Sequence, residues 1–296
     1  MYQRVSQLSF LIILSIWTII SACVTPSTSS QKTPAPRQSF LWEAQKGDEI
    51  LTLLGTMHIG ITPDDMDPML WQRIREANTV IIETDISHQD ASLMKSYTML
   101  PTGQNLEKLL GPKHWTRFSE IVAKGGNIAS EKYLRQLTPL GAGSLLLQIQ
   151  ARADQDIEAG QLSIDQIIFD RAKVLGKTTR TLETNEQQMG YLKAVFTVDA
   201  LHNMLDEWDE EGSKYSDMKD AFKNGDSKAL DALLEEIPAD MRGILLDQRN
   251  QNWIRDLPGL SDKHHTLIAV GAAHFAGKGG LLKLLEARGY RIKALH

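Results

Sequence analysis

An α/β fold, mixed α+β in its connections, is predicted by three features of the 296-residue sequence. Short apolar runs rich in β-branched and aliphatic residues alternate with longer stretches of helical periodicity. The 42% apolar and 23% charged shares are those of a globular chain with a core to bury. Several strand-like runs also end in a polar residue, either Glu or a Gly-x-x-His sequence. Near-continuous apolar strands between helices belong to a sheet covered on both faces, here a central sheet with a largely helical middle region.

The N-terminus reads as an export signal. Residues 1–22 carry Arg4, an apolar run from Leu8 to Ile20, and small residues Ser21 and Ala22 before the single cysteine, Cys23. That run is short of the about 20 apolar residues a transmembrane helix needs. Ile20-Ser21-Ala22-Cys23 resembles a bacterial lipobox, which implies a signal peptide over 1–22, lipidation at Cys23 and a membrane anchor. The alternatives are an ordinary secretory signal and an uncleaved anchor helix. Val24 stands where inner-membrane retention typically has Asp, which points to the outer membrane, facing the periplasm. Residues 23–39, rich in Ser, Thr and Pro, read as a flexible tether, and the folded domain spans 40–296.

Within that domain, strands are expected at Ile50 to Leu54, Thr79 to Ile82, Thr178 to Leu182 and His265 to Val270. Helices are expected at Asp65 to Ala77, Pro112 to Lys124, Pro139 to Ala153, Ile164 to Leu175, Leu192 to Trp208, Ser227 to Glu235 and Met241 to Leu257.

Composition excludes several functions. A formal net charge of -5 without a basic stripe leaves nothing to grip a phosphate backbone, so nucleic acid is not expected as a partner. One cysteine rules out an internal disulfide, a Cys-rich zinc site and a CxxC pair, so any metal must be held by His and carboxylate. No Gly-x-Ser-x-Gly elbow or phosphate-cradling loop is present. The acidic cluster Asp206, Glu207, Asp209, Glu210 and Glu211 reads as a solvated surface. His264 and His265, just before a buried strand, are expected to be exposed.

Two arms share one plan. Ile50 to Leu54 leads into Gly55-Thr56-Met57-His58, and His265 to Val270 leads into Gly271-Ala272-Ala273-His274. Glycine there allows a sharp turn or the close approach of another backbone, and presents His at a sheet edge where α/β sites lie. With 21 Gly and 8 His in the chain, about half a match is expected by chance. A third copy, Gly111-Pro112-Lys113-His114, sits in a polar loop with no strand before it and is set aside. Glu83 ends the strand at Thr79 to Ile82, and Glu183 follows Thr181-Leu182. A carboxylate at the end of a buried strand needs a cation, either a metal or an Arg. His88 is a substitute ligand in the same reading.

These residues together resemble the TraB/GumN family. The resemblance rests on the two arms, Glu83, the segment Gly160 to Asp165 leading to Lys177, Leu182-Glu183-Thr184 with Glu186-Gln187, Arg249-Asn250 with Trp253, Gly280-Leu281-Leu282 and Arg288-Gly289-Tyr290. The family includes pheromone-shutdown proteins, GumN-like proteins and the TIKI metalloproteases, with distant similarity to haem-binding ChaN lipoproteins and erythromycin esterases. The resemblance implies a divalent metal, Mn, Zn or Co, on His58, Glu83 and His274, with open positions for a reactive water. It implies Glu183 as a further ligand or general base, and Arg249 as neutraliser of Glu183 or holder of a substrate carboxylate. The expected function is a lipid-anchored, metal-dependent hydrolase acting on peptides. The alternative is a non-catalytic envelope protein that binds haem or peptide.

Overall fold

The computed structural model describes residues 40–58, 61–85, 87, 90–126, 129–153, 163–261 and 265–295. The signal, Cys23, the tether, His88, Gly160 and His264 lie outside them. Among the described residues no helix is long and apolar enough to cross a membrane.

A six-stranded mixed sheet organises the chain. Its strands are β1 (Leu41–Lys46), β2 (Glu49–Thr56), β3 (Thr79–Ile82), β4 (Thr178–Thr181), β5 (His265–Gly271) and β6 (Arg291–Ala294), in the order β4-β3-β5-β2-β1-β6. The strands β4, β3, β5 and β2 run parallel, so their carboxyl ends lie on one side of the sheet. Registers align those ends closely: Gly55 pairs with Val270, Thr56 with Gly271, Ile82 with Ala269 and with Thr181.

The helices are α1 (Pro68–Glu76), α2 (Ala91–Thr98), α3 (Leu106–Lys124), α4 (Glu131–Leu134), α5 (Pro139–Ala153), α6 (Ile164–Val174), α7 (Asn185–Val195), α8 (Val198–Asp206), α9 (Trp208–Lys223), α10 (Ser227–Glu235), α11 (Ala239–Arg242), α12 (Gln248–Leu260) and α13 (Leu281–Ala287). Alternation along the strands splits the core between the two faces. Leu54, Val80, Ile82, Leu267 and Ala269 pack with Leu70 and Ile74 of α1, Ile168 of α6 and the helical middle. Leu51, Leu53, Ile81, Ile268 and Val270 pack with Trp253, Ile254 and Leu257 of α12 and with Leu281 and Leu285 of α13. Each such Leu, Ile or Val side chain, fully buried, contributes about 1.5–3 kcal/mol.

The four parallel strands follow the sequence reading closely, and several helices depart from it. The expected helix from Leu192 to Trp208 is the end of α7, all of α8 and the first residue of α9; Thr197 caps the start of α8 by accepting from the Ala200 amide. The helix expected from Met241 to Leu257 is α11, a π-helical turn over Gly243–Asp247 and α12, which runs on to Leu260. Gly111 does not lie in a loop: it kinks α3 with φ 71°, joining a turn begun at Leu106 to the expected stretch from Pro112. The helix expected from Asp65 starts at Pro68, where the Asp67 carboxylate caps it, after a 3-10 turn over Pro63–Asp65. His265 is half-buried rather than exposed, with Nε2 2.9 Å from Thr52 Oγ1, and burial lowers its pKa.

Candidate functional site

Four polar side chains reach the same end of the sheet because four parallel strands stop there. His58 follows β2, Glu83 follows β3, Glu183 follows β4 after one residue, and His274 follows β5. The β3–β4 ladder continues past both strands, with the amides of Leu182 and Glu183 donating to the Glu83 carbonyl at 3.1 and 3.0 Å. That continuation sets Glu183 beside Glu83.

Neither arm glycine is in a left-handed conformation, and Gly55 serves close approach. A Cβ on Gly55 would stand 2.8 Å from Phe40 Cβ and 3.1 Å from Ala272 Cα. The Gly271 amide donates to Glu83 Oε1 at 2.8 Å, which ties the β5 arm to the end of β3.

Arg249 stands at the centre, 1% exposed. The π-helical turn comes just before it, a feature rare in helices and frequent at functional sites. Nε donates to Glu183 Oε2 at 3.1 Å, while Nη2 donates to Glu83 Oε2 at 2.6 Å and Glu183 Oε1 at 2.7 Å. Nη1 donates to the Leu245 carbonyl and meets His274 Nε2, both at 3.1 Å. Those contacts use all five guanidinium donors. Both glutamates are among the partners, and all five donors are taken within the cluster.

The two histidines are held differently. His274 is buried with Nδ1 2.7 Å from Asn250 Oδ1. Asn250 spends its Nδ2 donors on the carbonyls of His274 and Gly279 at 3.1 and 2.9 Å, so its oxygen must face the ring. Nδ1 therefore carries the proton, and Nε2 keeps its lone pair. Burial first, then the nearby Arg249 charge, hold the pKa of His274 down to about 3. His58 is partly exposed and places Nδ1 2.5 Å from Asp165 Oδ2. Burial alone would lower its pKa, but the charge and hydrogen bond of Asp165, joined by the Glu83 charge, outweigh it and the net shift is upward.

Burial would also raise the pKa of Glu83, but the charges of Arg249 and the histidines with the Gly271 amide pull it below the usual range. Glu183 goes the other way, raised by burial and the Glu83 charge more than Arg249 lowers it. Trp253 Nε1 donates to Glu183 Oε2 at 3.2 Å, and the indole lies 4.3 Å from the His274 ring.

All the described residues singled out from sequence, His58, Glu83, Glu183, Arg249 and His274, thus belong to one cluster. Sequence reasoning gave no separate role to Asp165 or Asn250, the residues on which the two imidazoles rest. The signal for Asp165 was its place two residues after Ser163, the cap of α6. Asn250 adjoins Arg249.

A metal is implied by the resemblance, and the donor chemistry of the cluster fits one. Each imidazole has its Nδ1 engaged by an acceptor, the arrangement that turns Nε2 toward an ion, and Glu83 brings a carboxylate. Among the described residues, however, no three His, Cys, Asp or Glu side chains already surround one point as ligands would. Arg249 Nη1 occupies the lone pair of His274 and would have to withdraw from it.

Comparison with known proteins finds the TraB/PrgY/gumN family, whose model matches residues 40–294. No curated protein and no solved structure matches the chain.

Proposed function

The chain belongs to the TraB/PrgY/gumN family, and from that premise we propose that it is a metal-dependent hydrolase acting on peptides, lipid-anchored at Cys23 in the cell envelope and facing the periplasm. The observation that carries this reading is a charge imbalance. Of three buried carboxylates, Glu83 and Glu183 share a single guanidinium, and Asp165 has only the His58 imidazole as a partner that can carry positive charge. With Glu183 in the ionised form a base requires, protonating His58 leaves the group still one positive charge short, and His274 is held neutral. Buried carboxylate charge without compensation is costly, and a divalent cation beside His58, Glu83 and His274 supplies what is missing.

Such a cation, Mn, Zn or Co, would acidify a bound water and polarise a carbonyl. The protein's own groups have separable work. Asn250 and Asp165 hold the rings. Glu183, its pKa raised above the usual carboxylate range by burial, is suited to take and return a proton. Three donors occupy its oxygens, two on Oε2 and one on Oε1, so Oε1 retains capacity to accept one more. Arg249 bridges Glu83 and Glu183 and offsets their charge.

The test is cleavage of a peptide pool by the full chain with added Mn, Zn or Co, before and after chelation. Cleavage should require the metal, and Glu183→Gln should lower turnover by on the order of a hundredfold or more while metal content stays near wild type. No cleavage with any metal, together with a haem absorption band, would favour the binding-protein reading. Cleavage indifferent to chelation would assign the positive charge in the reaction to Arg249 alone.

A further inference from the structure

We propose that Asp165 is a positioning residue that fixes His58 in its Nδ1–H tautomer and so presents the Nε2 lone pair to the site. This rests on the functional reading only for what Nε2 then meets, whether a metal ion or a proton to be abstracted.

The geometry is specific. Asp165 lies in the first turn of α6, behind the Ser163 cap, at the positive end of that helix. Its two oxygens are divided between two residues of one arm. Oδ1 accepts from Thr56 Oγ1 at 2.5 Å, and Oδ2, which has no other partner among the described residues, faces His58 Nδ1. Thr56 ends β2 and His58 comes two residues later, so a single carboxylate grips the arm at its root and at its ring. An ionised carboxylate is an acceptor only. A neutral imidazole beside it must put its hydrogen on Nδ1, which leaves Nε2 bare. Asp165 comes from a helix across a long loop of sequence and is itself buried, so orientation of the ring is its evident work. An aspartate orienting a histidine tautomer is known from serine proteases, where the Asn substitution keeps the geometry and loses the tautomer.

The substitution to make is Asp165→Asn. With Thr56 donating to the amide oxygen, the amide nitrogen faces Nδ1 as a donor and favours the Nε2–H ring. The full chain, nitrogen-labelled at histidine only and assigned with His58→Ala, is examined by long-range proton–nitrogen correlation at a pH where the ring is neutral. The expected result is Nδ1–H for His58 in the wild type and Nε2–H in the variant. Cobalt(II) titration of the same samples should show a 10–100-fold loss of affinity in the variant.

A wild-type ring protonated at Nε2 overturns the proposal, and that measurement needs no variant to fold. A variant with unchanged tautomer and unchanged cobalt affinity overturns it too. If the wild type takes up no cobalt, the metal reading fails by itself, and the tautomer still decides the role of Asp165.

Discussion

The arms that end in His58 and His274 share a sequence plan and adjacent parallel strands, yet they place their rings in opposite electrostatic surroundings. His58 leans on a carboxylate, keeps some solvent contact and has a raised pKa. His274 leans on the neutral amide of Asn250, is buried against Arg249 and Trp253, and has its pKa held at about 3. A repeated motif therefore specifies where a side chain emerges from a sheet. What the side chain can do is set by the elements packed over it, α6 for the first arm and α12 for the second.

Removing the shared cation should break the comparison most severely. Arg249→Ala leaves Glu83 and Glu183 buried together, and loss of one partner from a buried ion pair costs about 3–5 kcal/mol. Urea unfolding of the full chain should show a loss of that order, and the pKa values of both histidines should then rise, because the Arg249 charge lowers each. A loss below about 1 kcal/mol would mean that the glutamates are not held by Arg249 in the way described.

The pH dependence of stability should separate the arms by sign. The folded pKa of His58 lies above its ordinary value near 6.5, so its contribution is fully present below about 6.5 and is lost as pH rises through the raised value. The folded pKa of His274 lies below the ordinary value, so its contribution is present above about 6.5 and is lost as pH falls toward about 3. His274→Gln should flatten the acid limb, and Asp165→Asn the limb above 6.5. The same slope in wild type and variant, on either side, would remove that arm from the account.

The smallest effect is expected at the third Gly-x-x-His sequence. His114 lies on α3, stacks on His202 at 4.0 Å, and places Nε2 3.2 Å from Asp206, which also accepts from Lys113. Asp206 is about half exposed, and such pairs contribute about 0–1 kcal/mol. Asp206→Asn should stay within that range and leave peptide cleavage unchanged.

The strand ends were legible in the sequence because they rest on local patterns: Thr79 to Ile82 matches β3 residue for residue, and the Gly-x-x-His arms announce their own exit points. The antiparallel strands β1 and β6 were not. Their burial alternates with exposed or half-exposed positions such as Glu43 and Arg291, and they pair only through β2 and each other. The cluster was legible as to its members, but its wiring was not. The five contacts of Arg249, the grip of Asp165 on His58 and the turn of the Asn250 amide depend on how α6 and α12 cross the sheet end, and no spacing along the chain encodes that. The π-helical turn before Arg249 was hidden for the same reason, since Gly243 to Asp247 continues a helical pattern.

The central claim is that the carboxylate excess at the sheet end draws a divalent ion to His58, Glu83 and His274. The direct measurement is the metal content of the purified full chain by elemental mass spectrometry, for wild type and for His58→Ala, Glu83→Gln and His274→Gln. The account predicts one divalent ion per wild-type chain and far less than one in each variant. A wild-type chain without stoichiometric metal, or variants that retain as much as wild type, would contradict it.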